Sequence, residues 1–99
     1  MGDIFDEANH KLGKVGQDGY VFNATGNKIG RILDNGDVQN AKWIKIGSYD
    51  GSGRVFEGTR HIGDVHGDGK VYDYEKDMIG LIKGDHIMGG GAALLLLFR

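Results

Sequence analysis

The stretch Val21–Asp37, VFNATGNKIGRILDNGD, decides the fold, because most of the chain is this segment restated. The same pattern opens at Ile4, Val38, Val55 and Val71: an aliphatic residue, usually an aromatic, then Asp or Asn, a Leu-Gly or Ile-Gly pair, and a second turn. From each repeat glycine (Gly13, Gly30, Gly47, Gly63, Gly80) to the residue opening the next segment (Val21, Val38, Val55, Val71, Met88) there are always eight positions. Self-similarity at a fixed period marks an architecture of adjoining copies. A period of about 17 residues holds two strands of four or five residues plus two turns, and is far too short for a propeller blade of roughly 40.

Within the second copy the strands are expected at Val21–Asn23 and Lys28–Ile32, joined by Ala24-Thr25-Gly26-Asn27. Asp-Gly and Asn-Gly pairs tolerate positive φ and are the strongest short-range hairpin signal. They recur as Asp18-Gly19, Asn35-Gly36 and Asp68-Gly69, with Ser52-Gly53 in the third copy and Asp85-His86 in the fifth. The fourth copy is one residue short, since Val55 to Gly63 spans eight positions against nine elsewhere. A lone hairpin is only marginally stable, so every copy leans on its neighbours and the array must close or be capped. The expected fold is therefore all-β. Five hairpins stand radially over residues 1–91, closed or nearly closed like a flower or barrel, with an apolar tail over 92–99.

Strand alternation puts Val21 and Phe22 on opposite faces, and Ile29 opposite Ile32, which predicts a sheet buried on both faces. Gly30 leaves a gap on the face of Ile32, and the aromatic column Phe5, Phe22, Phe56 and Tyr72 is expected to lie over such gaps. After Met88 come three glycines and then Ala92-Ala93-Leu94-Leu95-Leu96-Leu97-Phe98-Arg99. Seven apolar residues fall far short of the roughly 20 that span a bilayer as a helix. As an isolated helix the piece is too short to hold in water, and left exposed it would aggregate. It is expected to be buried, either down the middle of the hairpin ring or against another copy of the chain through Leu94, Leu95, Leu96, Leu97 and Phe98.

These units, with a glycine run and an apolar tail behind the last, resemble the small bacterial family called the four-fold beta flower. The resemblance rests on Ile4-Phe5-Asp6, Val21-Phe22-Asn23, Val55-Phe56-Glu57 and Val71-Tyr72-Asp73, on the Ile-Gly pairs and on Gly89–Gly91. It covers residues 4 to about 91, with five units where that family has four. It implies a compact radial β fold and brings with it no catalytic residue or activity.

Composition narrows the function. With 19 glycines and no proline the chain is not collagen-like, and the glycines fall at fixed places in the repeat. The absence of cysteine removes disulfides, thiolate metal sites and a thiol nucleophile. A formal net charge of −2 lacks the basic excess of nucleic-acid binders, so no nucleic-acid partner is expected. The start, MGDIFDEANHK, has no basic patch followed by an apolar run, so a cytoplasmic location is expected and a membrane anchor is not.

Chemistry-bearing residues are few. Asp64–Glu75 echoes a calcium loop, yet His66 stands where a carboxylate belongs and the repeat already explains Asp68-Gly69. His10, His61, His66 and His86 share neither spacing nor repeat position, so no metal site is expected. The position two before each repeat glycine reads Lys11, Lys28, Lys45, His61 and Met78, which a radial array would hold at one height as a basic collar beside Trp43. Such a collar either binds an anion or glycan or simply keeps strand edges soluble. No nucleophile elbow, phosphate loop or zinc-protease motif occurs, and no cofactor is expected. The favoured reading is a non-enzymatic structural or protein-interaction module, homo-oligomeric through the tail. The alternatives are a binding module using Lys11, Lys28, Lys45, His61 and Trp43, or a hydrolase with Asp and His at the hairpin tips.

Overall fold

The computed structural model describes residues 2–98, and they form one closed antiparallel barrel of ten strands with a helix in its bore. Each copy of the repeat is one hairpin: β1 (Gly2–Asp6) with β2 (Lys11–Val15), β3 (Tyr20–Asn23) with β4 (Lys28–Ile32), and β5 (Asp37–Asn40) with β6 (Lys45–Tyr49). β7 (Arg54–Glu57) with β8 (Arg60–Val65) and β9 (Lys70–Asp73) with β10 (Met78–Gly84) complete the ring. Every strand pairs with its sequence neighbours, and β1 closes on β10 from Gly2↔Gly84 to Asp6↔Gly80. Extents of 29 × 29 × 20 Å describe a short, round barrel. The radial all-β array read from the repeat is thus the fold, and the ring shuts on itself.

Equivalent positions of the five copies make rings inside the barrel. Ile4, Val21, Val38, Val55 and Val71 form one, each wholly buried. The residues two after each repeat glycine form another, Val15, Ile32, Tyr49, Val65 and Ile82, aliphatic except at Tyr49. The turn glycines close the open end of each hairpin from the second to the fifth: Ile32, Tyr49, Val65 and Ile82 donate their amides to the carbonyls of Gly19, Gly36, Gly53 and Gly69, extending the ladder between the two strands of the same copy. Those four turn glycines sit at φ between 88 and 96°, a conformation open to glycine at little cost.

Eight strands enclose an interior that side chains alone can fill. Ten leave a wider bore, and α1 (Ile87–Leu97) occupies it. The tail is therefore helical and starts at Ile87, before the boundary at Ala92 that the apolar run suggested. His86, in the left-handed region at φ 58°, turns the chain from the fifth hairpin into this helix, so Met88 opens no sixth copy. Three consecutive glycines are poor helix formers, each costing about 1 kcal/mol relative to alanine. Here the bore demands them. A Cβ on Gly89 would lie 3.0 Å from Ile32 Cγ2, and one on Gly90 2.9 Å from Ile82 Cγ2.

Beyond the glycines the helix widens, and the repeat glycines receive it. A Cβ added to Gly80, Gly63, Gly47, Gly30 or Gly13 would run into Leu94, Leu95, Leu96, Leu97 or Phe98 respectively. Five consecutive tail residues thus visit the five hairpins in reverse chain order. The helix advances about 100° per residue through Leu97, and Phe98 leaves the helical conformation at φ -106°, so the five side chains are spread right round the bore and each hairpin receives one.

Two expectations about faces are corrected. The gaps over the repeat glycines are filled from inside by the helix and not by the aromatic column: Phe5, Phe22, Phe56 and Tyr72 lie half-buried on the outer face, each next to the buried aliphatic of its strand. The sheet is accordingly buried on its inner face alone. Nor do Ile29 and Ile32 point opposite ways in the simple sense. Each hairpin carries a bulge in which Leu12, Ile29, Ile46, Ile62 or Ile79 is the unpaired extra residue. A bulge breaks strict alternation, and all five aliphatics pack against the core cluster.

The tail as a contact between copies through Leu94–Phe98 also changes. Leu94 and Leu95 are 2% and 8% exposed within the single chain, so the bore has consumed them. Leu96, Leu97 and Phe98 are half-buried and remain partly open at the barrel end.

Leu94→Ala is expected to cost about 2–5 kcal/mol, because the rigid barrel cannot collapse onto the cavity; urea denaturation would measure it. Gly30→Val should cost at least about 1–3 kcal/mol by overpacking, since a Cβ there lies 2.6 Å from Leu97 Cδ1 and 2.5 Å from the Gln39 carbonyl oxygen. Stability equal to the parent chain in either variant would refute this account of the bore.

Candidate functional site

The barrel has two ends, and the side chains able to meet a partner gather there. At the end where α1 finishes stand the tips of the five hairpins. Their Asp or Asn is occupied by its own loop: Oδ1 of Asp6, Asn23, Asn40 and Asp73 each accepts the amides two and four residues on. This is the turn-forming use of Asx side chains. Glu57 replaces the Asx in the fourth copy, where the loop is a residue shorter and Gly58 takes φ 64°. In the third copy that left-handed position is Trp43, at φ 62°, with 48% of its surface exposed beside Ile44 at 57%.

The half-buried ring of Leu12, Ile29, Ile46, Ile62 and Ile79 surrounds Leu96, Leu97 and Phe98 at this end. A groove of about 430 Å³ opens there, floored by Leu12, Ile79, Leu94 and Phe98 and edged by Asp6, Glu7, Asp73 and Asp77. Charge is unevenly spread around the rim. The first and fifth loops carry Asp6, Glu7, Asp73, Glu75 and Asp77, while the second and third carry no carboxylate and offer Lys42.

The collar residues do lie at equivalent places, one in each hairpin, and all are exposed. Their charges are engaged within the chain. Lys11 Nζ is 3.2 Å from Asp3, and Lys45 Nζ 3.2 Å from Asp37. His61 Nε2 lies 2.9 Å from the Gly63 carbonyl and 3.0 Å from Asp64 Oδ1, both acceptors, so Nε2 carries the proton and donates. Lys28 Nζ sits 3.8 Å from the centre of the Tyr20 ring, and Met78 fills the fifth place. Exposed pairs of this kind contribute about 0–1 kcal/mol each. Trp43 is joined to this belt through an edge-to-face contact with Tyr20 at 5.6 Å. The histidines stay apart, and no group of three or more His, Asp or Glu among the described residues could hold a metal ion. The calcium-like stretch Asp64–Glu75 is the seam between the fourth and fifth hairpins: Val65 and Val71 point inward, and Asp68 accepts the Lys70 amide.

The opposite end, where α1 enters, holds a cleft of about 530 Å³ that the sequence reading missed. It lies between the turn after β2 and the turn after β4, lined by Gln17, Asp18, Arg31, Asp34, Tyr49 and His86 among others. Tyr49 is the one aromatic in an otherwise aliphatic ring, and that departure from the repeat was the available signal. Burial, and to a smaller degree the charge of Asp34, pushes its hydroxyl up from the ordinary tyrosine range. Arg31 has its guanidinium 5.1 Å from the Tyr20 ring, and its Nε is buried with no hydrogen-bond partner among the described residues. A buried donor left unmatched costs about 1–3 kcal/mol.

Asp50, in the turn between the third and fourth hairpins, accepts from the Ser52 hydroxyl at 2.7 Å and from the Arg54 amide at 3.0 Å. Those bonds, the Ser52 hydroxyl foremost, bring its carboxyl down to about 2. Asp6 is shifted the same way, chiefly by the His10 amide. A carboxyl with a depressed folded-state value contributes stability in full above its ordinary 3.8, and that contribution fades as pH falls through about 2. Thermal melts across this acid window should fall less steeply for Asp50→Asn, which keeps an acceptor but cannot titrate, than for the parent chain. Superimposable acid limbs would contradict the assignment.

No helix among the described residues is long and apolar enough to cross a membrane. No protein-family model, curated protein or solved structure matches this chain.

Proposed function

We propose that the chain is a non-enzymatic interaction module that self-associates through the barrel end where α1 finishes. The observation that carries this reading is the apolar character of that end. A ring of five half-buried aliphatics encloses Leu96, Leu97 and Phe98, and Trp43 and Ile44 stand out from its rim. Exposed apolar surface gathered in one place marks contact sites, whereas scattered residues do not. The partner is a second copy because the rim complements itself. A two-fold axis across the barrel end can set the carboxylate-rich first and fifth loops against the third loop, with Lys42, Trp43 and Ile44. The tail contributes as the part of α1 left open, Leu96 to Phe98, while Leu94 and Leu95 serve the bore.

The absence of enzymatic chemistry in this reading is supported by the state of the hairpin tips. Their Asx side chains are spent on backbone amides, and Asp6, held below its ordinary value, is a poor proton shuttle near neutrality. A binding role for the Lys11, Lys28, Lys45 and His61 collar is weakened by the ion pairs and ring contact that already engage it. Kinship with the four-fold beta flower belongs to the same proposal, supported by the ring of hairpins and the glycine run that follows it, with five units in place of four.

The second hairpin supplies a variant that should fold. It carries Gly26-Asn27 where the third has Trp43-Ile44. Trp43→Gly combined with Ile44→Asn therefore turns one loop into its sister and relieves the left-handed tryptophan. Concentration-dependent light scattering should show the parent chain dimerising and the double variant at least about tenfold weaker, the equivalent of about 1.4 kcal/mol. A parent chain that stays monomeric at every concentration would sink the proposal.

A further inference from the structure

We infer that the cleft at the α1-entry end is a binding site for a neutral saccharide, distinct from the self-association surface at the other end. Its position follows from one departure of the sequence from its own repeat. The ring that holds Val15, Ile32, Val65 and Ile82 has Tyr49 in the third copy. Arg31 stands at a position that varies from copy to copy, Lys14, Ser48, Asp64 and Leu81 in the others, and lines the same cleft. Packing alone does not ask for Tyr49, because four of the five copies close the ring with an aliphatic residue.

The lining selects the ligand by charge. Asp18 and Asp34 would repel an anion, and Arg31 would repel a cation, so a neutral ligand meets the least opposition. It must also donate and accept at once. Asp18 has one carboxylate oxygen engaged by the Tyr20 amide at 3.2 Å, leaving the other to receive a hydroxyl. Asp34 makes no hydrogen bond among the described residues and is close enough to Tyr49 to act on its hydroxyl. Arg31 brings its guanidinium to the lining, and the Tyr20 ring 5.1 Å away restricts its motion, while Nε is itself buried. Adjacent hydroxyls on a sugar ring supply both senses of hydrogen bond, and the C–H face of such a ring suits an aromatic side chain such as Tyr49. A site already held in shape before binding loses little in ordering itself.

The test is an NMR titration of the isotope-labelled full chain, following backbone amides. The probes are D-glucose, D-mannose, N-acetyl-D-glucosamine and maltose, with glycine as zwitterionic and inorganic phosphate as anionic comparison. At least one saccharide should shift the amides of Gly19, Asp34 and Tyr49 saturably while those of Trp43 and Ile44 stay put. Tyr49→Val installs the residue that the first and fourth copies carry, and should weaken binding about tenfold, the loss expected for one aromatic contact. Arg31→Ser, the residue of the third copy, should do likewise and serves if the first variant fails to fold. No saccharide response, a response to glycine or phosphate alone, or full affinity in both variants would overturn the inference. Loss of self-association in the loop variant with saccharide shifts intact would strike neither proposal, since the two surfaces lie at opposite ends.

Discussion

The contact between five glycines and five consecutive tail side chains holds the rest of the structure in place. A ten-stranded ring has a bore too wide for its own inward side chains, and an empty bore would forfeit the dispersion contacts of everything lining it. Helix α1 fills that space, and the fit works from both partners. The helix is thin where Gly89, Gly90 and Gly91 pass Ile32, Ile82 and Val65, and broad where Leu94 to Phe98 meet strand positions with no side chain. Neither half is stable without the other. A short helix with three glycines does not hold in water, and hairpins without a filled core are marginal.

This mutual dependence explains the spacing of the repeat. One glycine per hairpin is the least that gives the helix a seat on every side, and the bulge just before each glycine swings Leu12, Ile29, Ile46, Ile62 or Ile79 against the core. The Asx side chain at the tips of the first, second, third and fifth hairpins closes its own loop with two backbone amides. Closure of β1 on β10 leaves no free sheet edge, so the exposed strands present no template for further pairing. What then distinguishes one side of the barrel from another is not fold but exception: Trp43 at a left-handed turn position held elsewhere by Asn9, Gly26, Gly58 and Lys76, Tyr49 among aliphatics, carboxylates crowded into two adjoining loops. The proposed surfaces are built from those exceptions.

Much of this was legible in the chain itself. The period, the Asx-Gly pairs and the repeat glycines determined five hairpins, because turn chemistry and strand length are local and short-range. The strands of the second copy fall within one residue of where the pattern put them, at Tyr20–Asn23 and Lys28–Ile32. The burial of the tail was legible too, since seven apolar residues have no stable exposed state. The sequence left open where the tail is buried, and strict strand alternation misled about what covers the glycines and which way Ile29 turns. Those depend on the diameter of the closed ring and on bulges, and both arise only when all ten strands are joined. The cleft around Tyr49 depends on the same closure: Gln17, Arg31, Tyr49 and His86 belong to different hairpins and to the turn into α1, and only the barrel brings them to one rim.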